Sequence, residues 1–191
     1  MALALPGTSL TKGRYGIDLT GDKELISLFN RLPDKIQRRV LRGAVSKVAR
    51  RMVKDVKDAI VQVGAVETGT LKKSIGFKIR TAKGGGIVAI IGPRTGFKRP
   101  VAKNKKGQIK SLSKKKLAAA EAGGGKVKYR EPARYAHLVE FGTDDGRIRP
   151  KPFMRVGFDA GRDIGTATLR HDILVGIDLE AQKLARKAHR G

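Results

Sequence analysis

Residues 33–64 read PDKIQRRVLRGAVSKVARRMVKDVKDAIVQVG. In this stretch Ile36, Val40, Leu41, Ala44, Val45, Val48, Ala49, Met52, Val53, Val56, Ala59, Ile60 and Val63 recur at spacings of three, four and one. That rhythm predicts one long α-helix with a continuous apolar stripe. Pro33 suits its first turn, where a missing N–H costs nothing, and Gly64 closes it. A helix about 45 Å long must bury that stripe against other elements, so it organises whatever surrounds it. Arg39, Ser46, Arg50, Lys54 and Lys57 fall to another side, as a solvated face or a basic rail toward a partner.

Upstream, residues 1–20 are rich in Gly, Thr and Pro and form an N-terminal arm, with a short strand possible at Ile17–Leu19. A first helix is expected from a capping Asp22, with Leu25, Leu28 and Phe29 on one face and Leu32-Pro33 as its stop. Downstream, Gly69 marks a turn in which Thr68 or Thr70 can bond local backbone. Ser74 to Arg80 alternates, with Ile75, Phe77 and Ile79 on one face, as a half-buried strand does. Lys83-Gly-Gly-Gly86 makes a hairpin loop, and Ile87 to Ile91 a second strand.

Beyond Gly92-Pro93 the pattern breaks. Arg94 to Lys116 holds ten basic and no acidic residues. Such a segment cannot bury enough surface to fold alone, which predicts a long inserted arm over 93–126, with a short helix at Lys114 to Glu121 and a strand resuming at Lys126 to Arg130. Tyr135 to Phe141 is short and amphipathic. From Phe153 helical period returns, with Ile164, Ala167, His171, Leu174, Ile177, Ala181, Leu184 and Ala188 in line. Gly157, Gly161, Gly165 and Gly176 weaken it by about 1 kcal/mol each. The expected fold class is α+β: a small antiparallel β-sheet packed with a long amphipathic helix and a C-terminal helix, with a long basic loop insertion. The expected organisation is the 1–20 arm and a single domain over 21–191, interrupted by the 93–126 arm.

The chain has 191 residues, and 42 Lys and Arg against 17 Asp and Glu leave a net charge of +25. The excess is concentrated: residues 64–130 hold 18 basic and two acidic side chains. Charge this high and this localised implies a polyanionic neighbour. The cations that would meet it are Arg94, Lys98, Arg99, Lys103, Lys105, Lys106, Lys110, Lys114, Lys115 and Lys116. Between residues 93 and 130 only Phe97 and Tyr129 are aromatic. That argues for nonspecific contact with DNA or an acidic protein rather than sequence reading. Without cysteine there is no disulfide framework, thiolate metal site or Cys nucleophile. The longest apolar run, Ile87 to Ile91, is too short to span a bilayer. Met1 to Leu5 lacks a basic flank and stops at Pro6, unlike a signal peptide. A soluble protein made in a cytoplasm, away from membrane, is expected.

Catalytic motifs fail on their residues. Gly124-Gly-Lys126 is followed by Val127 where a P-loop needs a hydroxyl. Gly84-x-Gly86 opens a β-type run, not the helix a dinucleotide fingerprint needs. His137 and Glu140 are spaced like two metal ligands, but no second His-rich cluster completes a shell, so a surface or packing role is expected. His171, on the apolar line, is expected in a core or interface, and His189 in solvent. Asp144-Asp145 are expected as turn residues paired with Arg147 or Arg149. No catalytic residue, metal or cofactor is predicted.

Two blocks carry a resemblance. The first is Gly64-Ala-Val-Glu-Thr-Gly-Thr-Leu-Lys-Lys-Ser-Ile75, directly after the long helix. The second is Tyr135-Ala-His-Leu-Val-Glu-Phe-Gly-Thr143, followed by Arg149-Pro-Lys-Pro-Phe-Met-Arg155. In order and spacing they resemble the neck and tail-completion (minor tail component) proteins of long-tailed bacteriophages. Members carry a Thr-Gly-x-Leu-x-x-Ser-Ile turn into a strand, a Tyr-Ala-x-x-Val-Glu-Phe-Gly-Thr block and a Pro-Phe-(Leu/Met)-Arg start to the last helix. Ala65 stands where many members have Pro, and residues 93–126 replace a shorter connection. The resemblance implies a virion protein of the head–tail junction, assembled in the host cytoplasm. It would form a homo-oligomeric ring, commonly sixfold, between portal-side or head-closure proteins and the tail tube or tail terminator, around the DNA. It gives structural roles to Thr68, Gly69, Leu71, Ser74, Tyr135, Val139, Glu140, Phe141, Gly142, Thr143, Pro152 and Phe153. Glu140, a charge in an apolar heptapeptide, would accept backbone N–H bonds or pair with Arg134 or Arg155, unless it sits exposed on a polar face. The rival reading is a nonspecific nucleic-acid-binding accessory protein.

Overall fold

The computed structural model describes residues 23–30, 32–82, 86–103, 108–124 and 127–188. The expected arm at 1–20, the strand at Ile17–Leu19, the Asp22 cap, Lys105, Lys106 and His189 lie outside these residues, as do the side chains of Leu25 and Leu28. The elements are α1 (Lys23–Asn30), α2 (Asp34–Gln62), α3 (Thr70–Ser74), β1 (Ile75–Thr81), β2 (Ile87–Pro93), β3 (Arg99–Lys103), β4 (Ile109–Ser111), α4 (Lys114–Ala122), β5 (Lys128–Arg130), α5 (Ala136–Phe141) and α6 (Phe153–Ala188). The fold is α+β, as the periodicities predict, and the long helix runs where the apolar stripe places it. β1 and β2 form a two-stranded sheet, and β4, β3 and β5 a three-stranded one with β3 in the centre.

Packing divides the chain into two compact units, and α2 and α6 each run through both. One unit contains residues 1–52, 78–90 and 158–191. Its core is Phe29, Val40, Ala44 and Ile173, flanked by Leu32, Ile36, Leu41, Leu169 and Ile177. The two helices are also tied by charge: Lys47 Nζ meets Asp172 at 2.8 Å, and buried Glu180 takes Lys183 at 2.7 Å and Arg39 at 3.4 Å. Lys183 Nζ donates the main bond that holds the Glu180 carboxyl below its usual range, against the opposing effect of burial, and the charges of Lys183 and Arg39 add to it.

The other unit contains residues 53–77 and 91–157. Val56, Ile60, Leu71, Ile75, Ala136 and Phe153 form its core, with Phe153 and Ile60 completely buried. Gly157 makes this core possible. A Cβ there would lie 2.5 Å from Val56 Cα, so the start of α6 touches the backbone of α2, and only glycine fits.

Two expectations are corrected, and a third segment carries more structure than expected. The stripe of α6 is not the predicted line. Ile164 and Leu174 are 49% and 44% exposed, Ala167, His171 and Ala181 are exposed, and only Ile177 is partly buried, while the side chains of Leu184 and Ala188 lie outside the described residues. The inner face instead advances in steps of four: Phe153, Gly157, Gly161 and Gly165, then Leu169, Ile173 and Ile177. Counting glycine only as a helix breaker hid this face, because here glycine is the contact surface. His171 therefore faces solvent. The inserted segment 93–126 carries the expected short helix as α4 and, in addition, two strands, β3 and β4, that the sequence did not predict. It gains this order from backbone pairing to β5 more than from its own burial; among these described residues only Val101 is a buried hydrophobic. Finally, the turn at Gly69 is followed by a helical turn, α3, before β1 begins.

Candidate functional site

The two quoted blocks come together in the unit of residues 53–77 and 91–157. Gly69 adopts φ 68° and starts α3. The Thr68 hydroxyl accepts the Thr70 N–H at 3.3 Å and donates to the Thr70 hydroxyl at 2.7 Å. Leu71 enters the core, and buried Ser74 donates to the Leu71 carbonyl at 2.7 Å. From the second block, Val139 packs on the same core. Glu140, buried, accepts the N–H of Met154 at 2.8 Å and of Arg155 at 3.2 Å. It is an N-terminal cap for α6 supplied from α5, where it satisfies two donors that a helix start leaves open. Half-buried Pro152 leads into α6 and its carbonyl accepts the Val156 N–H at 3.0 Å. Gly142 turns the chain at φ 78° and ψ −170°. A Cβ there would lie 2.7 Å from the Ile148 carbonyl oxygen. Thr143 and Asp145 then knit the loop. Thr143 Oγ1 donates to Asp145 at 2.5 Å, and Asp145 accepts the Arg147 N–H at 3.1 Å. The Thr143 bond is the first cause of a lowered Asp145 pKa. Arg147 pairs with Asp145 at 3.0 Å.

Between the blocks lies a groove of about 630 Å³. Its apolar wall includes Ile60, Val66, Leu138, Val139 and Ile148, and its rim carries Lys72, Arg130, Arg147, Arg149 and Lys151 against a single acid, Glu67. Arg130 pairs with Glu67 and lies 5.8 Å from the centre of the Tyr135 ring. Burial raises the Tyr135 pKa, with Arg130 opposing and Glu67 reinforcing the shift. Lys151 Nζ donates to the Gly64 carbonyl at 2.6 Å. Val66 and Ile148 remain 47% and 40% exposed, and beyond the groove Phe141 is 73% exposed. The basic rim was not legible residue by residue. The signal that could have located it was the pairing of the two blocks, which bracket Arg130, Arg147, Arg149 and Lys151.

The cations expected at a polyanion divide into two kinds. Arg94 is occupied: its guanidinium donates to the carbonyls of Ser74 at 3.3 Å and Lys73 at 3.2 Å and stacks over Phe97 at 5.0 Å. Arg99 is half-buried opposite Arg130 in the β3–β5 ladder. Lys98, Lys103, Lys110 and Lys114 to Lys116 are exposed, as is Lys128, which sequence reasoning did not single out. Lys98 acts on Glu131 through its charge; among the described residues none of the other lysines forms an ion pair, while Asp58, Glu67, Glu131 and Asp145 in the same unit each hold another cation. Glu131 also accepts the Gly96 N–H at 2.8 Å, the main cause of its lowered pKa. Helix α4 buries none of its residues and has no acid in its first turn. Ser113 caps it, accepting the Lys116 N–H at 3.4 Å, but Lys114 to Lys116 oppose the helix dipole at a cost of about 0.3–1 kcal/mol each.

His137 is exposed and Glu140 is engaged by backbone, so the two do not converge on a ligand. Among the described residues no group of three or more His, Asp or Glu could hold a metal ion, and no helix is long and apolar enough to cross a membrane. A family model described as "Bacteriophage HK97-gp10, putative tail-component" matches residues 23–142. No curated protein and no solved structure matches the chain.

Proposed function

The chain belongs to the HK97-gp10-like family of phage tail components, a structural family, and from that premise we propose that it closes into a ring at the head–tail junction. In this reading the ring is sixfold and joins head-closure or portal-side proteins to the tail tube or tail terminator. It works by contact and not by catalysis, and it resides in the virion. The observation that carries the reading is apolar surface left open on each unit of a chain from this family. The unit of residues 53–77 and 91–157 exposes Val61, Val66, Phe141 and Ile148; the other exposes Ile164, Leu174, Val175 and Leu179 along α6. Two unlike patches on one chain suit heterologous, head-to-tail contacts, which generate rings when the rotation closes.

Native mass spectrometry of the purified chain, alone and with the head-closure and tail-tube proteins of the same phage, tests this. Closed oligomers of one size that bind those neighbours are expected. A chain that stays monomeric with and without them overturns the ring.

A further inference from the structure

We propose that the outward face of α2, from Lys35 to Arg50, is a binding surface for the phosphate backbone of duplex DNA. The inference deepens the junction reading, and rests on it only for where the DNA is met.

The helix itself gathers the charge. From Lys35 to Lys54 the sequence holds eight Lys and Arg and no Asp or Glu. Val40, Ala44, Val48 and Met52 are buried, a row that advances in steps of four. Arg38, Arg42, Ser46 and Arg50 make a second row with the same step, two residues out of phase. At about 100° per residue, that row lies on the far side of the helix from the core. Lys35, about one turn before Arg38, extends the same face, and all four cations are exposed. From Lys35 to Arg50 the face is about 22 Å long, and it belongs to the unit of residues 1–52, 78–90 and 158–191. The neighbouring row has its acids: Arg39 meets Glu180 and Lys47 meets Asp172 of α6. Among the described residues Lys35, Arg38, Arg42 and Arg50 form no ion pair. Gly43, exposed on this face, has nothing within 4 Å of where a Cβ would stand. It costs the helix about 1 kcal/mol without a packing contact to explain it, and its bare backbone lets another chain come close.

The composition selects the partner. Protein interfaces anchor on aromatic and apolar residues, which describes the groove better than this face. Between Asp34 and Met52 no large apolar side chain is exposed. Protein–DNA interfaces are polar and strongly positive, and the arginine fork takes phosphate oxygens two at a time. A duplex carries about one negative charge per 1.7 Å of its axis, so a straight face of four cations meets phosphates along its whole length. Groups that read adenine or cytosine are missing. Gln37 is turned back to the Leu32 carbonyl at 2.7 Å, and the Ser46 hydroxyl donates to the Arg42 carbonyl at 2.5 Å. The face therefore suits phosphate contact without base readout.

Fluorescence anisotropy with a short labelled duplex, titrated against salt, tests the full chain. If the four cations meet four phosphates, affinity falls at least about 10²-fold between about 50 and 200 mM salt. Replacing Lys35, Arg38, Arg42 and Arg50 with Gln lowers the log–log salt slope by about 3 to 4. The control removes equal charge elsewhere, with Lys103, Lys110, Lys114 and Lys116 changed to Gln; Lys103 and Lys110 lie on opposite faces of their sheet. It leaves the slope within about one of the parent. Equal loss in both variants, or no affinity at low salt, overturns the proposal. So does poly-glutamate of matched charge binding more tightly than the duplex, the result expected of an acidic-protein site. If circular dichroism shows that the four-Gln variant is unfolded, Arg38→Gln and Arg42→Gln taken singly decide: each lowers the slope by about 1, and unchanged slopes overturn the proposal. Rings without DNA affinity sink this inference and leave the junction role standing; DNA affinity in a chain that never assembles does the reverse.

Discussion

Glu140 joins two elements through one carboxylate. It leaves α5 in an apolar run, yet its oxygens receive the first N–H groups of α6. Glu140→Ala leaves those donors unmet beside the core, and a loss of about 1–2 kcal/mol is expected in denaturant unfolding. Glu140→Gln retains one acceptor and should lose less. A Glu140→Ala variant as stable as the parent contradicts the cap. Glu180 gives a pH dependence. Its folded pKa lies below the ordinary glutamate value, first through the bond from Lys183. Its contribution is therefore complete above about pH 4.3 and is lost as pH falls through the folded value. Melting curves should show the parent losing stability through that acid range more steeply than Glu180→Gln; parallel curves would contradict the assignment. Glu140's choice of partner was partly legible. An acid inside Leu138-Val-Glu-Phe141 had to be paired or exposed, and backbone N–H groups were among the partners named from the sequence. That they belong to α6 could not be read, because nothing in the heptapeptide encodes a fold that returns residue 154 to residue 140.

At the scale of elements, the sequence was readable wherever apolar side chains kept one period. The stripe of α2 is buried as its spacing predicts, at Val40, Ala44, Val48, Ala49, Met52, Val56, Ala59 and Ile60. The alternation that starts at Ile75 is a strand for the same reason. In α6 the period failed because glycine, with no side chain to count, forms the inner face. Gly157→Ala turns this into a sign test. Helix propensity alone predicts a gain of about 1 kcal/mol. The structure predicts a net loss of about 1–3 kcal/mol or more, because the new Cβ meets Val56 backbone at 2.5 Å. Gly176→Ala meets a Val40 methyl group at 2.7 Å, which can shift, so its loss should be smaller. Thermal melts of both variants check the order, and a stabilised Gly157→Ala would contradict the close packing. The strands of 93–126 were illegible for a different reason. Their order comes from ladder hydrogen bonds to residues far along the chain, and backbone donors and acceptors are the same in every sequence.

Over the whole molecule, charge and apolar surface are read from the sequence to different depths. The +25 excess was plain from composition, and its concentration in the middle third pointed to a polyanion before any fold was known. Composition could not tell which cations are occupied. Arg94 and Arg130 hold the fold together, whereas the lysines of β3, β4, β5 and α4 stand open. The groove between the two blocks was not legible from either motif. Its apolar wall and basic rim came from residues that carry no pattern of their own. The account therefore predicts that the groove contributes to ring closure. Val66→Asp with Ile148→Asp should abolish ring closure in native mass spectrometry while circular dichroism shows the fold retained. Rings that close as in the parent would contradict it.

The most direct measurement is cryo-electron microscopy of the intact phage particle with an antibody fragment bound to this chain. The account predicts labelled density in a closed ring where the capsid meets the tail tube, with the DNA path through its centre. Label distributed along the tube, confined to the distal tip, or absent from finished particles would contradict it.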